Sequence, residues 1–136
     1  MKNIYFNNDN KTVYITKELI DELLLGCNNA YPNEFFALLS SDCKKAIDSY
    51  IVVPLFYQTT NSVSYRTDLL PLGFNIAGSI HSHPNASNKP SNADLHSFSK
   101  LGECHFIVGY PFSLQNIACY DYAGNNINII VTENRK

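Results

Sequence analysis

Nowhere does the 136-residue chain hold an apolar run near the roughly twenty residues that a membrane span needs. Its start, Met1-Lys2-Asn3-Ile4-Tyr5-Phe6, turns polar at Asn7 and lacks the long apolar core of a signal peptide, so a soluble, cytoplasmic protein is expected. Lys/Arg runs are missing as well, and with a formal charge of −2 this argues against a groove for nucleic acid, whose phosphates call for clustered cations. The four cysteines, Cys27, Cys43, Cys104 and Cys119, form no Cys-x-x-Cys pair, which removes a zinc knuckle and a thioredoxin-type dithiol. Reduced thiols packed as small apolar groups are expected, though spacing alone leaves a disulfide open. A His-Glu-x-x-His helix is absent, as is His-x-Glu followed by Pro-Cys-x-x-Cys, so two common zinc-hydrolase patterns do not apply.

What the chain does contain is 45% hydrophobic and 16% charged residues, a globular composition of a length that fits one domain over residues 1–136. Lys2 to Phe6 and Thr12 to Ile15 read as short strands. Thr16 then suits the N-cap of a helix whose Leu19, Ile20, Leu23, Leu24 and Cys27 recur at helical spacing. Strands are predicted from Glu34 to Leu39 and from Ala46 to Pro54, and Leu55 to Leu72 reads as irregular. His105 to Tyr110, Leu114 to Tyr120 and Ile127 to Val131 complete the strands, the last two joined by a Gly/Asn turn at Ala123 to Asn126. Helices alternate with strands early and the end is a meander, so the expected class is α/β (α+β), with one mixed sheet flanked by helices.

The most informative stretch runs from His81-Ser82-His83-Pro84 to Ser91-Asn92-Ala93-Asp94. Phe74 to Ile80 reads as a partly buried strand, and on a strand alternate residues share a face, so His81 and His83 project together while Ser82 points the other way. Pro84 ends the pairing. Ser91 followed three residues later by Asp94 is a helix-start signal, which puts Asp94 in a first helical turn where the helix dipole favours a carboxylate. Histidines occur in strands without binding anything and Ser-x-x-Asp caps many helices, but the two patterns joined by one short loop are a much rarer combination. Two nitrogens and one oxygen leave a coordination position open, as catalytic rather than structural zinc sites do.

These residues resemble the JAMM (MPN-plus, Mov34/PAD-type) zinc metalloproteases, which carry an upstream Glu, then His-x-His-Pro, a loop, and Ser-x-x-Asp. His81, His83, Pro84, Ser91 and Asp94 match at the family's spacing, and the resemblance covers nearly the whole chain. Asn33-Glu34-Phe35-Phe36-Ala37-Leu38-Leu39 looks like the family's Glu-x-x-small-x-Leu strand, with Ala37 where Gly is usual. Many members have a helix before the His-x-His strand. Here Asp68 to Gly73 is too short and too marked by Pro and Gly, so the chain resembles small archaeal members.

The resemblance implies a JAMM/MPN fold akin to the cytidine-deaminase-like architecture, and one zinc per chain held by His81, His83 and Asp94. It implies Glu34 as the general base that takes a proton from the metal-activated water, with the Ser91 hydroxyl stabilising the developing oxyanion. The implied activity is that of an isopeptidase, deubiquitinase-like, acting at the C-terminal tail of a ubiquitin-like (SAMP-like) modifier or a sulfur-carrier protein. Such a tail could lie as an added strand along a sheet edge. The alternatives are a noncatalytic MPN-type scaffold and a peptidase that processes a sulfur-carrier precursor; the oligomeric state, monomer or homodimer, stays open. Outside this set, His96 reads as surface, His105 as core or rim, and Tyr65 and Arg66 as ordinary surface.

Overall fold

The computed structural model describes residues 4–52 and 70–133, together with the backbone of Leu55–Gln58 and Val63–Tyr65. In chain order its elements are β1 (Phe6–Asn7), β2 (Thr12–Thr16), α1 (Lys17–Ala30), β3 (Phe36–Ser40), β4 (Ser49–Ile51), β5 (Leu55–Gln58), β6 (Val63–Tyr65), β7 (Gly78–His83), α2 (Asn92–Phe98), β8 (Cys104–Gly109), β9 (Ile117–Tyr120) and β10 (Asn126–Thr132). Eight strands form one sheet in the order β1-β2-β10-β9-β8-β7-β3-β4. The β2/β10 and β7/β8 pairs are parallel and the others antiparallel, so the sheet is mixed, as expected.

The sheet's two faces follow the period-two alternation of its strands. Thr16 caps α1 by accepting from the Leu19 N–H at 3.3 Å, and the helix buries Leu19, Ile20, Leu23 and Cys27 against one face. Ile80 of β7, Phe106 and Val108 of β8, and Leu39 of β3 join that cluster. The intervening residues face the other way, where Leu38 packs with Leu101, and Ile107 with Phe98 and Tyr120. His81 and His83 belong to this second face, which α2 covers.

Helix α2 is held by Phe98, whose ring stacks on that of His105 at 4.3 Å with an interplanar angle of 5°. Asp94 precedes Phe98 by four residues and so lies on the same side of the helix, turned toward the sheet. The chain turns back after Leu101 at Gly102, where φ is +101° and a Cβ would lie 2.6 Å from the Ala77 carbonyl, so glycine is required.

Several boundaries differ from those read in the sequence. The strand expected over Phe74 to Ile80 is Gly78–His83, because its parallel ladder with β8 runs on to His83 opposite Gly109. The strand predicted to begin at Glu34 begins at Phe36, leaving Glu34 just outside it. Ala46 to Pro54 is paired over Ser49–Ile51, with Ile47 separately bridged to Ile15, since the chain here passes from one neighbour to another. Leu55 to Leu72, expected to be irregular, holds the antiparallel β5/β6 pair, consistent with the strand preference of its aromatic and β-branched residues. Leu114–Asn116 is a 3₁₀ turn rather than the start of a strand. The Tyr65 side chain, Arg66 and Asp68-Leu69 lie outside the described residues.

Candidate metal centre

His81 and His83 reach the same face because β7 is extended through both, and Ser82 between them is buried on the opposite face. Ser82 Oγ accepts from the Phe35 N–H at 2.8 Å, while the Ser82 N–H donates to Phe35 O at 3.0 Å. This double tie extends the register in which Phe36 stands opposite His81. Glu34 lies just ahead of β3, and the same alternation carried one step further turns it to the face of His83. Glu34 itself is exposed, and its charge is felt at His83.

The carboxylate arrives from α2. Ser91 and Asp94 form a reciprocal capping box: Ser91 Oγ accepts from the Asp94 N–H at 3.1 Å, and Asp94 Oδ2 accepts from the Ser91 N–H at 2.8 Å. The box fixes the Asp94 rotamer and aims its oxygens at the histidines. His81 Nε2 lies 3.1 Å from Asp94 Oδ1, His83 Nε2 lies 3.4 Å from Asp94 Oδ2, and the two Nε2 atoms are 3.2 Å apart. Ligands at about 2.1 Å from a tetrahedral zinc stand about 3.4 Å from one another, so the three donors already have the spacing the ion requires. Among the described residues they are the one cluster of this kind.

His83 Nδ1 is 3.0 Å from Ser87 O, a pure acceptor, so Nδ1 carries a hydrogen and the neutral ring offers its Nε2 lone pair to the site. A proton on that same nitrogen is favoured by its hydrogen bond to the Asp94 carboxylate, which raises the His83 pKa against the effect of burial and with help from Ser87 O and the charge of Glu34, so a proton and a cation compete for one place. For Asp94, burial pushes the pKa up, but the hydrogen bonds from His81 and His83 outweigh it and hold the carboxyl well below the usual carboxylate range. An ionised carboxylate facing two imidazole nitrogens is a preformed cation site.

His105 is no ligand. It is fully buried, with Nδ1 2.8 Å from Ser79 Oγ and Nε2 3.0 Å from Gly102 O; burial lowers its pKa to about 4 and keeps it neutral. His96 is exposed on α2. Absent from the sequence-level set are Asn88, Asn116 and Tyr120, which hold the loop between the two halves of the site. Their contacts span about thirty residues and leave no local pattern. The one trace is Gly109, the glycine that ends β8, where another stretch of backbone approaches closely.

A sequence model of the prokaryotic homologues of the JAB domain matches residues 16–121. A probable metalloprotease from Haloferax volcanii is 32% identical over 123 residues, 84% of this chain and 76% of that protein. Among solved structures, one described as JAMM, a metalloprotease-like zinc site in the proteasome and signalosome, superposes with a TM-score of 0.70 at 32% identity, covering 88% of this chain and 97% of the other. A JAB1/MPN domain protein from Archaeoglobus fulgidus gives 0.69 at 32% identity, with 89% and 100% covered. His81, His83 and Asp94 are in turn a donor set that fits zinc. With its sequence, fold and donor cluster in agreement, this chain belongs to the JAMM (JAB1/MPN) metalloprotease family, among the prokaryotic homologues of the JAB domain.

Proposed function

We propose that the chain is a zinc-dependent isopeptidase acting, as one domain and in the cytoplasm, at the C-terminal tail of a ubiquitin-like (SAMP-like) modifier or sulfur-carrier protein. The observation that supports it most is the convergence of His81 Nε2, His83 Nε2 and the Asp94 carboxylate within 3.1–3.4 Å of one another. A zinc ion bound there would acidify a water molecule and polarise a carbonyl.

The chain's own groups account for the remaining chemistry. Glu34, exposed just ahead of β3, accepts a proton from the attacking water and passes it to the departing amine. Ser91 Oγ uses a lone pair to cap α2, which leaves its O–H to donate to the carbonyl oxygen as negative charge builds there. Capping and oxyanion binding therefore do not compete for the same part of the hydroxyl. His81 and His83 hold the ion from a rigid strand, and Asp94 holds it from a capped helix end.

Cleavage of a modifier conjugate by the purified protein, with and without chelator and in Glu34→Gln, tests this reading. Hydrolysis that stops in both controls supports it, and unchanged hydrolysis in both rejects it. Offering an isopeptide-linked conjugate beside a linear modifier precursor separates conjugate cleavage from precursor processing.

A further inference from the structure

The loop that separates the two halves of the metal centre, residues 84–90, carries no core residue, yet Asn85, Ala86 and Asn88 are each fastened to a distant part of the chain. Asn85 O accepts from the Tyr110 N–H at 2.8 Å, and Asn88 O accepts from the Tyr120 hydroxyl at 2.8 Å. Between them stands Asn116, in the 3₁₀ turn before β9. Its Nδ2 donates to Ala86 O at 2.8 Å and to Tyr110 O at 3.1 Å, and its Oδ1 accepts from Asn88 Nδ2 at 2.9 Å. Both amide hydrogens and the carbonyl oxygen of one side chain are thus engaged, two of the three bonds going to the loop and one to the strand end that adjoins it.

The fit at this point is close. Gly109 pairs with His83 in the β7/β8 ladder, and a Cβ on it would lie 2.5 Å from Asn116 Nδ2 and 2.7 Å from Ala86 O. The glycine leaves room for the amide and the loop carbonyl to come up against the strand end directly beside a metal-ligating residue. The residue after Ala86 is Ser87, whose carbonyl accepts the Nδ1 hydrogen of His83 and so sets which nitrogen the ring presents. A partner of this kind orients a metal-bound imidazole and raises its basicity.

We propose that Asn116 is a positioning residue for the metal centre: by cross-linking Ala86, Asn88 and Tyr110 it fixes the 84–90 loop, so that Ser87 O holds His83 with Nε2 aimed at the ion. The proposal rests on the reading of His81, His83 and Asp94 as zinc ligands. It adds a residue from a distant part of the chain whose side chain touches neither metal nor substrate.

Competition titration of zinc against a chromophoric chelator, on wild type, Asn116→Ala and Asn116→Asp, tests it. Asn116→Asp keeps the shape and the acceptor oxygen but loses both donors toward Ala86 and Tyr110. Both variants are expected to bind zinc about 10- to 100-fold more weakly than wild type. The cobalt-substituted protein should show a shifted visible spectrum, reporting altered ligand geometry rather than a general loss of stability. Ile20→Val, on the face of the sheet covered by α1, serves as the comparison and should leave both readouts at the wild-type value. If Asn116→Ala does not fold, Asn116→Asp and Asn88→Ala carry the test. Wild-type affinity and an unchanged cobalt spectrum in the folded variants overturn the role of Asn116. Failure of the wild-type protein itself to bind zinc overturns the underlying metal reading instead.

Discussion

Phe36 stands opposite His81 in the β3/β7 pair, and this single register carries the chemistry of two distant segments to one place. Two residues before Phe36 lies Glu34, and two residues after His81 lies His83. The ladder ends at Phe36 and His81, and the same alternation carried on through Phe35 and Ser82 turns Glu34 to the face of His83, which α2 covers. The pairing is secured by the two hydrogen bonds between Phe35 and Ser82. A slip of one residue would turn Glu34 to the other face.

Glu34→Gln should therefore separate catalysis from structure. Glu34 is exposed and lies outside the strand, so thermal stability and zinc content should match wild type. The turnover number should fall by roughly 10²–10⁴, the usual contribution of a positioned general base. Stability, metal content and steady-state rates on one preparation check this, and a rate within tenfold of wild type would exclude Glu34 as the base.

Ser91 has two separable roles. Ser91→Ala removes the α2 cap at a cost of about 1 kcal/mol and also removes the hydroxyl donor. Ser91→Gly retains most of the capping preference, losing a few tenths of a kcal/mol, but likewise lacks the hydroxyl. Both variants should lose roughly 10²–10³ in turnover if the hydroxyl binds the oxyanion. Ser91→Thr should recover both properties. Wild-type turnover in Ser91→Gly would confine the residue to capping.

His105 gives the fold an acid-sensitive element. Its folded-state pKa is about 4 against an ordinary 6.5, because burial between Phe98 and Ser79 disfavours the charged ring. The unfolded chain thus binds the proton first. Stability from this group is fully present above pH 6.5, falls as the pH drops through the interval to about 4, and changes no further below it. The loss over that interval should be about 3 kcal/mol. Urea midpoints at several pH values, measured on metal-free protein and on His105→Gln, would reveal it; equal slopes in the two proteins would assign the acid sensitivity elsewhere.

Much of the site was legible in the sequence because its signals are local. The His-x-His spacing of two survives as one face of β7, and Ser-x-x-Asp survives as the capping box of α2. Thr16, likewise a local signal, caps α1 as read. Less legible were features set by partners far along the chain. Ala46 to Pro54 looked like one strand because its residues favour strands, but tertiary contacts divide it between Ile15 and β3. The side chains of Leu55, Phe56 and Tyr57 gave no clear alternation, and their pairing with Val63–Tyr65 is a backbone feature. Asn116 is polar, lies in a turn and is unremarkable until Ala86 and Asn88 are brought to it. The face covered by α2 is set by Phe98 meeting His105, and no pattern within either segment announces the contact.

The most direct measurement is the zinc content of the purified protein beside Asp94→Ala, by atomic emission after extensive dialysis. About one zinc per chain in wild type and almost none in the folded variant is the expected result, since removing the carboxylate takes one of three ligands from the site. No zinc in wild type, or equal zinc in Asp94→Ala, would contradict the assignment of His81, His83 and Asp94 as the metal centre.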